Sequence, residues 1–117
     1  MLTAPTHVPI YLCTRAVDLR KSFDGLGGVV EAAFGKNLLD GGLFLFVNRR
    51  RDRLKALWWE PGGLVIWYKR LEQGTLEFPQ ADAAQPYVTI DATQLAMWLG
   101  GVSLAHARQR RRRMQVA

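Results

Sequence analysis

Residues 43–69 read "LFLFVNRRRDRLKALWWEPGGLVIWYK". Three runs here are rich in the aliphatic and aromatic residues of strands: Leu43–Val47, Leu54–Trp59 and Leu64–Lys69. Their separators, "NRRRDR" and "EPGG", have the length of hairpin connections, and the second carries strong Pro/Gly turn chemistry. The simplest arrangement is an antiparallel meander. A strand covered on one face only should alternate apolar and polar residues, and "LFLFV" does not. In "LKALWW", alternation places Leu54, Ala56 and Trp58 on one face and Lys55, Leu57 and Trp59 on the other. In "LVIWYK" it sets Leu64, Ile66 and Tyr68 opposite Val65, Trp67 and Lys69. Strict alternation along the hairpin is expected to bring Lys55 and Lys69 beside Trp59 and Trp67. Both sheet faces are then apolar. One helix covers the first, and the second must meet another helix, another subunit or a ligand such as nucleobases.

The flanks supply the helices. "IYLC" (Ile10–Cys13) is a short β-prone run after Pro5 and Pro9. From Phe23, apolar residues fall at Leu26, Val30, Ala33 and Phe34, the steps of three and four that mark one helix face. Ser22 stands at the N-cap position. Gly25, Gly27 and Gly28 each weaken this helix by roughly 1 kcal/mol relative to alanine, and close packing against a sheet explains them better than a phosphate loop. "KNLLDGG" (36–42) reads as a turn. Thr75–Phe78 suggests a short edge strand ended by Pro79, and Val88–Ile90 a further strand. Asp91 with Gln94 fits a capping box opening a helix over Ala92–Leu99, which Gly100 and Gly101 stop. These elements predict a single α+β domain over residues 1–107: an antiparallel β-meander with two short helices. Residues 108–117 form a basic tail expected to be disordered when free.

Length and composition fit that reading. A chain of 117 residues is one domain's worth, and 49% apolar content is enough for one modest core. The longest apolar run, Leu43–Val47, is far short of the roughly 20 residues of a membrane span. No basic region precedes the first apolar stretch, so no signal-peptide pattern is visible. The single cysteine, Cys13, fits a reducing compartment, and the cytoplasm is the expected location. Net charge is +6, but it is not spread evenly. Five arginines lie in "RQRRRR" (108–113); without them, 11 basic residues face 10 acidic ones. Four of those 11 lie in Arg49–Arg53. Two basic patches on a nearly neutral body suggest localised docking to a polyanion.

Catalytic chemistry finds little support. Two-metal nucleases cluster carboxylates, whereas Asp18, Asp24, Asp40, Asp52, Glu60 and Glu72 are scattered. Asp18 reads as a turn residue, and Asp24 as a first-turn acid near the positive end of a helix. His7, His106 and Cys13 lack metal-ligand spacing, and Cys13 reads as a small core residue. No catalytic residue, metal or cofactor is assigned. The stronger constellation is basic plus aromatic. Arg49, Arg50, Arg51 and Arg53 occupy an expected hairpin tip that can track phosphates. Lys55, Lys69 and Arg70 extend the patch, and Arg20 and Lys21, ahead of the first helix, can join it. Trp59 and Trp67 are candidates for a protein interface or for base stacking, against the plainer alternative of core packing. The plainer alternative for the tip is a solvated turn.

Three blocks are recognisable together: "DLRKSFDGL" (Asp18–Leu26), "LFLFVNRRRDRLKALWWEPGGLVIWYKRLEQGTLEFP" (Leu43–Pro79) and "TQLAMWLGGV" (Thr93–Val102). In this order, over most of the chain, they resemble the TnpB accessory proteins of the insertion sequence 66 group, encoded by the second open reading frame of those elements. The RNA-guided nuclease that shares the TnpB name is unrelated. The resemblance implies a role in transposition beside a separate, larger transposase that carries the catalytic acids, and it carries over no active-site residue. DNA and that transposase are the expected partners, with self-association a further option; the competing expectation is a protein-interaction module that never touches DNA. Gly27 and Gly28 stand where family members carry alanine or similar helix formers, so the first helix is expected to be less rigid. The N-terminus and the arginine tail depart from the family pattern.

Overall fold

The computed structural model describes residue 5 and residues 7–78 and 85–101; the expected tail and the boundary at 107 lie outside the described residues. The strands are β1 (Ile10–Cys13), β2 (Leu43–Val47), β3 (Arg53–Glu60), β4 (Gly63–Arg70) and β5 (Tyr87–Ile90); the helices are α1 (Phe23–Phe34) and α2 (Ala92–Leu99), with a 3-10 turn at Leu38–Asp40. They form one five-stranded sheet in the order β4-β3-β2-β1-β5. The α+β class holds, and β2, β3 and β4 form the expected meander. The meander does not describe the whole sheet. β1 lies parallel to β2, with Ile10 across from Leu43, and β5 is antiparallel to β1 on the far side. A parallel pair needs a crossover of a dozen or more residues, and the segment carrying α1 provides it.

Both sheet faces are covered by this chain's own helices. On one face, Leu95 and Trp98 of α2 pack with Ile10, Leu12, Leu43, Leu45, Val47, Leu54, Ala56 and Trp58. On the other, Leu26, Val30 and Phe34 of α1 pack with Phe44, Phe46 and Leu57. This is why every residue of "LFLFV" is buried: β2 sits inside a three-layer stack, and of the occupants expected for the second face it is the other helix that takes it. Cys13 belongs to the α1-side core, and burial raises its thiol pKa above the ordinary value.

Local chemistry sets the element ends. Asp91 accepts from the Gln94 N–H at 2.8 Å, and the Asp91 N–H donates to Gln94 Oε1 at 3.0 Å, completing the capping box. Ser22 occupies the N-cap of α1 but makes no side-chain cap bond, and Asp24 is the acid of its first turn. Gly35 ends α1 in the left-handed conformation, with φ of 63°. Thr75–Phe78 is not an edge strand. Leu76 is drawn into the α2-side core, the Leu76 N–H donates to the Arg51 carbonyl, and Trp98 Nε1 donates to the Glu77 carbonyl at 2.9 Å. The segment is thereby pulled across the face, leaving β4 as the edge.

The hairpin between β3 and β4 corrects one further expectation. The strands run up to Glu60 and Gly63, so the turn is Pro61–Gly62 alone, with Gly62 at a φ of 99° that a glycine after proline supplies. A two-residue turn sets odd-numbered residues of β3 against even-numbered ones of β4. Lys55 faces Tyr68 and Trp59 faces Leu64, while Trp67 faces Ala56 and Lys69 faces Leu54. Lys55 and Trp59 therefore lie on the α1 face, and Trp67 and Lys69 on the α2 face. Among the described residues no helix is long and apolar enough to cross a membrane.

Two glycine substitutions should move stability in opposite directions. Gly42 has φ of 114°, and a Cβ there would lie 3.1 Å from the Tyr11 ring and 3.2 Å from the Phe44 ring; Gly42→Ala is expected to destabilise by about 1–3 kcal/mol. Gly28 lies inside α1 on its exposed side with nothing within 4 Å of an added Cβ; Gly28→Ala is expected to stabilise by up to about 1 kcal/mol. Urea unfolding of both variants checks the pair.

Candidate nucleic-acid interface

Between Val47 and Arg53 the chain reverses while carrying three consecutive arginines, and Asn48 organises the turn. Its Oδ1 accepts from the N–H groups of Asp52 and Arg53, both at 3.0 Å, and its Nδ2 donates to Asp52 Oδ1 at 2.6 Å. The side-chain bond from Asn48 also lowers the Asp52 carboxyl pKa below its ordinary value. The Arg51 N–H donates to the Asn48 carbonyl at 3.0 Å. Outside the turn, the N–H groups of Leu71 and Leu76 donate to the carbonyls of Asp52 and Arg51, both at 2.7 Å. Arg51 is held at a φ of 61°, a region that costs a non-glycine residue about 1–2 kcal/mol. The result is a fixed backbone from which Arg49, Arg50 and Arg51 extend into solvent.

The loop ahead of α1 faces this tip. Asp18 Oδ1 accepts from the Arg20 N–H at 3.0 Å, its Oδ2 accepts from Arg20 Nη2 at 2.7 Å, and Arg20 Nε reaches both oxygens. The side-chain bonds from Arg20, followed by its backbone N–H, lower the Asp18 pKa to about 2. Lys55, buried on β3, donates from Nζ to the Lys21 carbonyl at 2.8 Å and so ties this loop to the sheet. The same ammonium lies 5.0 Å from the Tyr68 ring centroid. Arg53 Nη1 donates to the Tyr68 hydroxyl at 3.0 Å.

Tip and loop enclose an open cleft of about 940 Å³. Its ionic lining comprises Arg20, Arg49, Arg50, Arg53 and Lys55 against Asp18 and Asp52, five cations to two carboxylates. Both carboxylates are already engaged, by Arg20 and by Asn48. The remaining positive charge focuses on a concave surface, where it attracts anions most strongly.

The other sequence candidates fall around the cleft or away from it. Lys69 and Arg70 end β4 beside the tip, with Arg53 directly across from Arg70. Like charges so placed are unfavourable; Glu72 pairs with Arg70 at 3.0 Å, and Tyr68 takes Arg53. The Lys21 side chain is exposed, while its carbonyl holds Lys55. Trp59 is 38% exposed at the other end of β3, six residues or about 20 Å from Arg53. Trp67 is half-buried against the α2-side core. Sequence reading missed Asn48 and Tyr68. A polar residue opening a six-residue turn was a signal for Asn48; for Tyr68 the signal was parity, since any turn of even length at EPGG sets it across from Lys55. Among the described residues no group of three or more His, Cys, Asp and Glu side chains could hold a metal ion.

Comparison with known proteins gives the following. Residues 8–109 match the family model described as IS66 Orf2 like protein. The chain is 30% identical over 109 residues, 93% of each chain, to a Sinorhizobium fredii (strain NGR234) protein named uncharacterized protein y4hO. It is 34% identical over 70 residues, 60% of each chain, to uncharacterized protein y4jC of the same strain. No solved structure matches the chain.

Two measurements test the local geometry. Because the Asp18 pKa is depressed in the fold, its tie to Arg20 is fully present above the ordinary carboxylate range and is lost as pH falls through about 2. A carboxyl NMR titration should give a midpoint near 2, returning toward about 3.9 in Arg20→Gln. At the tip, Arg51→Gly relieves the left-handed strain and should leave stability unchanged or raise it by up to about 1 kcal/mol. A marked loss of stability in chemical denaturation would show that the arginine side chain itself holds the turn.

Proposed function

The chain belongs to the IS66 Orf2-like family, and from that premise we propose that it is a non-enzymatic accessory protein of insertion-sequence transposition that binds the element's DNA through the cleft and assists a separate transposase in the cytoplasm. Membership makes it a transposition-associated accessory protein; DNA contact is the step added here. The observation that supports it is the cleft itself: arginines on a rigid hairpin tip facing a second basic loop, with Asp18 paired to Arg20 and Asp52 held by Asn48, so that cations outnumber carboxylates. Arg49, Arg50, Arg51 and Arg53 would contact phosphates, flanked by Arg20, Lys21, Lys69 and Arg70, while Lys55 fixes the loop from beneath. The engagement of Asp18 and Asp52 also supports a binding role over a catalytic one.

One observation favours a second reading, a module that touches the transposase or another copy of itself and not DNA. β4 is an eight-residue edge strand. Its turn is closed by the Glu60–Gly63 pair, so alternation points the backbone groups of Leu64, Ile66, Tyr68 and Arg70 away from β3. Such an edge accepts an added strand, and exposed Trp59 stands near its start.

A salt series separates the readings. Each phosphate contact contributes about 0.9 to the slope of log affinity against log salt. Replacing Arg49, Arg50, Arg51 and Arg53 by glutamine should flatten the slope by about 1 for each arginine that contacts a phosphate. The comparison is made with Arg108–Arg113 both present and deleted, since the tail can bind DNA by itself. Failure of the full chain to bind end DNA at low salt would sink the DNA reading, and a pull-down with the transposase, with and without that DNA, would then test the second.

A further inference from the structure

The cleft contains one group that phosphate contact leaves unused. Tyr68 is 48% exposed and lines the cleft although cations surround it. A phosphate can use the guanidinium and ammonium groups and the phenolic O–H, but it gains little from the face of the ring. An aromatic side chain set among arginines is the combination that holds single strands: bases stack on the ring while basic side chains track the backbone. This ring is also prepared for a partner. Arg53 fixes its hydroxyl at 3.0 Å and Lys55 backs it with an ammonium 5.0 Å from its centroid. Ordering a ring already held costs little on binding.

Size points the same way. A volume of about 940 Å³ lies within the range of about 300–1,000 Å³ of sites that enclose small ligands. That is room for a nucleotide or two; a duplex would sit across the mouth. Within a duplex the base faces are already stacked on one another and only base edges are offered in the grooves, so Tyr68 would have nothing to stack on.

We propose that the cleft receives an unpaired stretch of DNA, with a base stacked on the exposed face of Tyr68 and the adjoining phosphates on Arg49, Arg50 and Arg53. This rests on the DNA-binding reading and narrows its substrate to a single strand or a locally opened end.

The test is fluorescence anisotropy with the full chain and one labelled 20-mer, free or annealed to its complement, at fixed low salt. The single strand should bind about tenfold more tightly than the duplex. Tyr68→Leu should weaken single-strand binding about tenfold, toward the lower end of base–aromatic stacking, and leave duplex binding within about twofold. Tyr68→Trp keeps an aromatic face and should retain the single-strand preference, so the idea stays testable if the leucine variant folds poorly by circular dichroism. Each protein is measured as the full chain and again with Arg108–Arg113 deleted, because binding by the tail adds to the affinity for both DNA forms and does not cancel in the ratios. Equal binding of both DNA forms, or equal weakening of both by Tyr68→Leu, overturns this inference while leaving DNA binding in place. Binding of neither form removes the DNA reading and this one with it.

Discussion

Glu60 pairs with Gly63 across Pro61–Gly62, and that closing pair fixes the register of every residue behind it along β3 and β4. The apolar pattern alone does not. β4 carries apolar side chains on both faces, Leu64 and Ile66 on one and Val65 and Trp67 on the other, so a slip by one residue would still bury hydrocarbon on each side. The functional consequence of a slip would be large, because it exchanges the faces of all side chains at once. Tyr68 would leave Lys55 and the cleft for the α2 face, and Trp67 would leave the core beside Ala56. A proline and a glycine with φ of 99° thus decide what a longer hydrophobic stretch leaves open.

The register matters because the two faces are not equivalent at the tip end of the sheet. On the α2 face, Leu71, Leu76 and Phe78 return to the sheet and extend the core. On the α1 face, Lys55 reaches instead for the Lys21 carbonyl, and the apolar core gives way to a polar recess. A nearly buried ammonium requires a partner, and a backbone carbonyl just ahead of α1 provides one. This bond couples the placement of α1's entry loop to β3, and it holds Asp18 and Arg20 opposite the arginine tip. The cleft is therefore a product of the fold's layering: it opens where α1 stops covering the sheet and a lysine replaces a leucine.

Much of this was legible in the sequence. The strands at 10–13 and 43–47, the helix from Phe23 to Phe34 and the capping box at Asp91 came from periodicity and local chemistry, which act within a few residues. Parallel pairing of β1 with β2 was not legible, because it depends on a crossover that brings residue 10 beside residue 43. The coil at Thr75–Phe78 was misread for a related reason: its alternation fits a strand, but Leu76 and the Trp98 indole draw it over a face. For the site, the tip arginines were conspicuous as a run. Asn48's lacing, the partners of Lys55 and the place of Tyr68 required the register, which one residue of turn length controls. Trp59 and Trp67, expected together beside Lys55 and Lys69, lie on opposite faces because any turn of even length, EPGG as much as Pro61–Gly62, pairs odd residues of β3 with even residues of β4.

The separation also divides the molecule's surface by chemistry. At one end of β3 lie the arginine tip and the cleft; about 20 Å away, Trp59 and the start of the β4 edge offer apolar area and backbone hydrogen bonds. An anionic partner at the first end leaves the second unobstructed, so the two proposed partners, DNA and protein, need not compete. The tip backbone is suited to the more demanding of these roles. Three arginines on a floppy loop would lose conformational freedom on meeting phosphates. Here the Asn48 bonds and the two carbonyls held by Leu71 and Leu76 fix the turn in advance, at the expense of a left-handed arginine. A glycine would occupy that position more easily, but it would bring no charge to the tip.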